Sequence, residues 1–215
     1  MLTDAQKDVL TELVNVYVGH AASLLSEMTS QEIMLRVPEV YLLPEGDSEL
    51  NALSRQDVFA QRHVVSSSIT FSQGMHGKAF LIFPAVQAKF LVNACLGEPL
   101  PTNRDLIARE LLDTDIDVLR EIANVILNSV MGGFGNLLNT CLEYSIPEVE
   151  LLFMTEKEDK DTLLTNRAHI LVLKTDFSLS GGEITGIMLI AFSLSSLSLL
   201  LNKLDAMLLE EIPSC

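Results

Sequence analysis

Two short patterns in this chain set a carboxylate and an amide one helical turn apart. Asp8, Glu12 and Asn15, followed by Pro38, recur as Asp117, Glu121 and Asn124, followed by Pro147. The spacing Asp-x3-Glu-x2-Asn-x22-Pro is the same in both copies. On a helix, at about 100° per residue, the three polar side chains of each copy fall within roughly 60° and share one face. A carboxylate there offers a negative charge to a cationic partner. An amide both donates and accepts, so it can hold a water molecule in a fixed direction. It cannot act as a general base at neutral pH, which leaves orientation as the role open to Asn15 and Asn124. Solvated helix faces also carry such residues, and for one helix alone that would be the simpler explanation. Recurrence weighs against it: with residue types used at around one in twenty, four fixed letters match by chance at about one in a hundred thousand starts. Asn is also a poor mid-helix residue, so local stability does not account for it.

The elements that must carry these residues also come in two copies. At the same offset of 109, Asp8-Val9-Leu10 matches Asp117-Val118-Leu119, Pro38-Glu39-Val40 matches Pro147-Glu148-Val149, and Gly77, Phe83 and Asn93 match Gly186, Phe192 and Asn202. His63 and Phe71 match His169 and Phe177 at an offset of 106, a difference that fits a longer hairpin turn in the second half. The chain thus reads as one domain, 1–215, built of two repeats at about 1–100 and 110–215, joined near 100–109. Each repeat begins with a long helix, capped by Thr3 or Asp4 in the first and by Asp113 or Asp115 in the second. An extended segment follows (33–43 and 142–153), with the prolines read as starting it. A polar stretch comes next (44–61 and 155–166), then a hairpin (63–71 with 78–83, and 169–177 with 185–192). An apolar helix closes each unit (85–96 and 194–209). Two helix–three-strand–helix units related by a pseudo-two-fold, with their strands in a shared, mostly antiparallel sheet packed by helices, define an α+β fold.

The rest of the first helix is apolar. Val9, Leu10, Leu13, Val14, Val16, Tyr17, Leu24 and Leu25 occupy the half opposite the polar stripe, and His20 lies toward their flank. Beyond Asn15 on the stripe come Gly19, Ala22 and Ser26, small enough to let another protein approach. In the second helix Asn128 and Met131 stand in place of Gly19 and Ala22. Met28, Met34 and Met188 read as core filler. Gly132-Gly133-Phe134-Gly135 lacks the Lys-Ser/Thr of a phosphate loop and falls on a helix, where close packing is its expected use.

Composition narrows the function classes. Of 215 residues 48% are hydrophobic and 20% charged, with 29 acidic against 14 basic side chains and a net charge of -15. Disorder is excluded by the apolar content. Nucleic acid and anionic membrane surfaces are excluded by the missing basic face. Cys95, Cys141 and Cys215 form no CxxC pair, and His20, His63, His76 and His169 are dispersed, so no metal site is expected and a reducing compartment is. Residues 184–202 carry no charge but contain four serines, and a strand followed by a buried helix explains them better than a membrane span. The N-terminus has no signal-peptide pattern, and the expected location is the cytoplasm.

At Asp8/Glu12/Asn15/Pro38 and Asp117/Glu121/Asn124/Pro147 the chain resembles the CheC family of chemotaxis phosphatases, the CheC/CheX/FliY group. The run from Glu12 through Asn15 and Gly19 to Ala22 is particularly similar to a CheC first helix. Two motif copies without a further C-terminal domain point to CheC within that group. The resemblance implies hydrolysis of the aspartyl phosphate on the response regulator CheY. Glu12 and Glu121 would pair with a lysine beside the phosphoaspartate, and Asn15 and Asn124 would orient the attacking water. Asp8, Gly19 and Asp117 would help dock the partner, with Pro38 and Pro147 structural. No intrinsic cofactor is implied; the magnesium would be the regulator's. A monomer is expected, with the CheD deamidase as a further partner. The alternative is an adaptor that binds the regulator, the flagellar switch or CheD without catalysis.

Overall fold

The computed structural model describes residues 2–43, 63–98, 111–153, 169–179 and 182–210. They form α1 (Asp4–Thr29), β1 (Ile33–Leu43), β2 (His63–Ser72), β3 (Gly77–Pro84), α2 (Ala85–Leu96), α3 (Asp113–Leu137), β4 (Glu143–Tyr144), β5 (Glu148–Phe153), β6 (His169–Leu179), β7 (Gly182–Phe192) and α4 (Leu194–Glu210). This is the expected α+β architecture. The polar stretches at 44–61 and 155–166, the junction at 100–109 and Cys215 lie outside the described residues.

All strand pairs are antiparallel, in one sheet ordered β1-β6-β7-β3-β2, with β4 and β5 both against β2. Exchanging β1 for β5, β2 for β6 and β3 for β7 reads this order back on itself. Where the halves exchange strands, the register follows the sequence offsets: Leu43↔Ile170 maps (43 + 109, 170 − 106) onto Leu152↔Val64, which is also paired. The three extra residues of the second half lengthen the ladder instead of the turn. Pairing there continues through Phe177↔Ile184 and Ser178↔Glu183 to Leu179↔Gly182, whereas in the first hairpin it stops at Phe71↔Gly77.

The four helices of the described residues lie on one face of the sheet. Leu10, Val14, Ile126, Phe134, Leu91 and Leu200 from them pack onto Val65, Leu81, Leu173 and Met188. Alternate residues of the same strands, among them Phe80, Ile82, Val172, Ile187 and Leu189, form a second buried cluster on the other face. Both faces being buried explains why β3 and β7 read as continuous apolar runs. Two edge-to-face phenylalanine pairs cross between the halves, Phe71–Phe192 at 6.0 Å and Phe83–Phe177 at 5.1 Å between centroids. The matched glycines make room for them: a Cβ would come 2.5 Å from the Phe71 ring at Gly77 and 2.5 Å from the Phe83 ring at Gly186.

Local sequence chemistry sets the helix ends. Thr3 and Gln6 form a reciprocal capping box on α1, and Ser30 ends it in the left-handed region at φ 54°. Gln6 also donates to Asp205 of α4 at 2.6 Å. For α3 the capping residue is Leu112, not an aspartate: Asp115, in the first turn, accepts from the Leu112 N–H at 2.9 Å. The same carboxylate pairs with Lys89 of α2 at 2.7 Å, largely out of water, which explains why an acid is buried there.

Several side chains depart from the expected pattern. Val16, Leu24 and Met28 are exposed because α1 buries only the strip facing β1 and α3, and Met34 is exposed at an outward alternate position of β1; Met188 alone of the three methionines is core. His20 is exposed rather than packed. Gly133 serves close packing as expected: a Cβ there would stand 2.4 Å from the Tyr17 ring, which meets Phe134 edge-on at 5.9 Å. Gly133→Ala is therefore expected to lower stability by about 1–2 kcal/mol despite its better helix propensity, since the ring must leave its seat. Urea unfolding of the variant against the wild-type chain checks this.

Candidate functional site

Both motif stripes sit where the helices turn away from the sheet. On α1, Asp8 and Glu12 are exposed and Asn15 is half-buried; on α3, Asp117 and Glu121 are exposed and Asn124 is half-buried. Each carboxylate–amide pair thus borders solvent on one helix face, as the wheel requires. Asp117 is paired with Arg120 one turn along its own helix. Such an exposed pair contributes little to stability, so Asp117 stays open to a partner.

The two asparagines are held differently. The Nδ2 of Asn15 donates to the carbonyls of Thr11 (2.9 Å) and Val37 (3.0 Å), and its Oδ1 accepts from the Val37 N–H at 2.8 Å. Both amide protons are used, and one lone pair of Oδ1 remains. Val37 is where the ladder breaks: Arg36 pairs Asp176 and Glu39 pairs Lys174, so Val37 and Pro38 together oppose Thr175 alone. Asn15 supplies the partners that β6 cannot, and Val37 is fully buried, so those partners are needed. A second tie lies further along, where Ser26 Oγ accepts from the Ile33 N–H at 3.0 Å. Pro38 therefore sits inside an edge strand at a bulge, where its missing N–H costs no ladder bond, instead of starting the strand as expected.

In the second half the extended segment is interrupted too. Tyr144 pairs Phe71 and Glu148 pairs Ser68, leaving Ser145, Ile146 and Pro147 opposite Ile69 and Thr70. Here Ser145 fills the gap: its N–H donates to the Thr70 carbonyl and its Oγ accepts from the Thr70 N–H, both at 2.9 Å. Pro147 does precede its strand. Asn124 is not drawn into this bulge. It accepts at Oδ1 from Asn128 Nδ2 (2.8 Å), and its own Nδ2 has no hydrogen-bond partner among the described residues. That amide is available to a water or a ligand.

Sequence reasoning placed Glu12, Asn15, Glu121 and Asn124 on helix faces but missed Asn128 as a contact of Asn124. The i, i+4 spacing of two asparagines carried that signal. Ala22 is buried and Ser26 turns to β1, so of these small residues it is Gly19, half-buried with open space around it, that leaves room for a visitor. Cys95 offers no nucleophile, since burial pushes its thiol up to about 11. No described helix is long and apolar enough to cross a membrane. Asn15→Ala strands the Val37 N–H and carbonyl and is expected to cost about 2–3 kcal/mol in urea unfolding. Asn124→Ala, at a half-buried face, is expected to change stability by less than about 1 kcal/mol.

No family model matches the chain. The CheY-P phosphatase CheC of Bacillus subtilis (strain 168) is 27% identical over 150 residues, covering 70% of this chain and 68% of that protein. The flagellar motor switch phosphatase FliY of the same organism is 22% identical over 183 residues, covering 85% of this chain and 44% of that longer protein. The crystal structure of Thermotoga maritima FliY superposes with a TM-score of 0.74 at 18% identity, covering 96% of this chain and 98% of that one, so the two share a fold. These two sequence relatives carry phosphatase names and the fold is shared with FliY, so in sequence and fold the chain is similar to members of the CheC/CheX/FliY group.

Proposed function

We propose that the chain hydrolyses the aspartyl phosphate of a CheY-type response regulator. The observation that carries this reading is the α3 pair: an exposed Glu121 one turn from an Asn124 whose amide nitrogen has no partner among the described residues. An acyl phosphate is already activated, so catalysis needs positioning and charge stabilisation more than covalent help. Glu121, and Glu12 on α1, pair with the lysine beside the regulator's phosphoaspartate and set the distance of approach. Asn124 donates to the attacking water and holds its oxygen in line with phosphorus. As that oxygen bonds to phosphorus, the bond to the aspartyl oxygen breaks, releasing inorganic phosphate and restoring the carboxylate. The magnesium that steadies the phosphoryl oxygens is carried by the regulator. Asp8, Gly19 and Asp117 border the two stripes and contribute to docking. The reaction takes place in the cytoplasm, where such a regulator acts.

The α1 copy supports a second reading for that half. With both amide protons of Asn15 consumed by Thr11 and Val37, Glu12 can dock a regulator without Asn15 presenting a donor to water. A chain using both halves this way would be an adaptor for the regulator, the flagellar switch or the CheD deamidase.

Phosphate release from a magnesium-bound, phosphorylated CheY-type regulator separates the readings. The wild-type chain is expected to accelerate release, and Asn124→Ala to lower that acceleration about 10–100-fold while binding persists. Binding without acceleration by the wild type would establish the adaptor.

A further inference from the structure

We propose that Asn128 is a positioning residue that fixes the amide of Asn124; the inference rests on the phosphatase reading above. Asn128 lies one turn beyond Asn124 on α3 and donates from Nδ2 to Asn124 Oδ1 at 2.8 Å. Its own Oδ1 is buried and has no hydrogen-bond partner among the described residues. This arrangement opposes stability in two ways. Asn is a poor helix former, and a buried oxygen without a partner has lost its hydration for nothing. Alanine would remove both penalties, so what Asn128 holds explains its presence better than what it stabilises.

What it holds is the orientation of Asn124. The terminal torsion of an asparagine side chain is broad and roughly two-fold, so an untethered amide presents oxygen or nitrogen to solvent indifferently. With Oδ1 occupied by Asn128, Nδ2 is the end left to donate beside Glu121. The first half has no counterpart: the position equivalent to Asn128 (128 − 109) is Gly19, and Asn15 is fixed by the Val37 backbone, which uses its donors up. Both asparagines are immobilised, but only the α3 arrangement leaves the donor free. Asn128 touches neither water nor phosphate in this scheme; it acts through Asn124.

The test compares the full wild-type chain with Asn128→Ala, Asn128→Asp and Asn128→Gln, using the magnesium-bound phosphorylated regulator as substrate and urea unfolding as a parallel readout. Asn128→Ala is expected to lower kcat about tenfold, the effect of losing one neutral hydrogen bond, with KM within about twofold and the unfolding midpoint unchanged or raised. Asn128→Asp keeps the shape but cannot donate at neutral pH, so Asn124 turns its nitrogen inward and kcat falls at least as far. Asn128→Gln retains the donor and restores part of the rate. If the wild type accelerates release and Asn128→Ala keeps its kcat, the inference fails while the phosphatase reading stands. A fall in kcat that tracks a lowered unfolding midpoint makes Asn128 merely structural and also overturns it. A wild-type chain that does not accelerate release removes the phosphatase reading, and this inference with it.

Discussion

The sheet is assembled by exchange between the halves of the chain, and the rest of the structure depends on that. β1 finds its hydrogen-bond partner in β6, β5 finds its own in β2, and the hairpins meet through β3 and β7. Either half alone would leave two helices over a hairpin, with the strand that precedes the hairpin unpaired. Backbone groups left that way inside a core carry a penalty of about 1–3 kcal/mol each, so neither half is a folding unit. The phenylalanine pairs follow the same rule, since Phe71 meets Phe192 and Phe83 meets Phe177, each pair drawing one ring from either half. α1 and α3 are set side by side over this shared sheet, with Tyr17 seated against Gly133. The two motif stripes thereby belong to one rigid layer.

Much of this was legible in the residues and some was not, for identifiable reasons. The internal match located both hairpins and the closing helix at Ala85–Leu96, because turns and apolar runs are local signals. Which strand pairs with which is not local, so the exchange of β1 and β5 left no trace in periodicity. Wheel geometry put Asp8, Glu12 and Asn15 on one face correctly, but its opposite half was too wide: Val16 and Leu24 are apolar residues on the solvent side of α1. The three extra residues of the second half were visible as a change of offset, yet turn and ladder are equally good places to put them. Only the register, with Leu179 opposite Gly182, assigns them to the ladder.

The negative charge of the chain bears on how a regulator would be met. A net charge of -15 offers no long-range attraction to a partner whose own phosphorylation site is acidic. Recognition would then rest on short-range contacts, where an exposed glutamate facing a single lysine is effective and screened little by the rest of the surface. Exposed Glu12 and Glu121 suit that role better than a broad charged patch would. On the proposed reading, Glu121 would also place the specificity of approach within one helical turn of the Asn124 amide.

The spacing of asparagine and proline acquires a physical reason in the first half that is independent of chemistry on a partner. A proline inside β1 creates a place where the ladder with β6 lapses, and the buried Val37 before it must find other partners. Asn15 is the side chain that reaches it, donating to its carbonyl and accepting from its N–H. Asparagine and proline are in that sense one device, and that role of the asparagine does not depend on catalysis. Glu12 has no such explanation, since nothing among the described contacts of α1 requires an acid there. In the second half the bulge is satisfied by Ser145, which frees Asn124 from backbone duty and leaves its nitrogen to another use. The same four letters thus perform different work in the two halves. On the proposed reading, the glutamate and the amide unengaged among the described residues, more than the full motif, would separate a water-orienting face from a structural one.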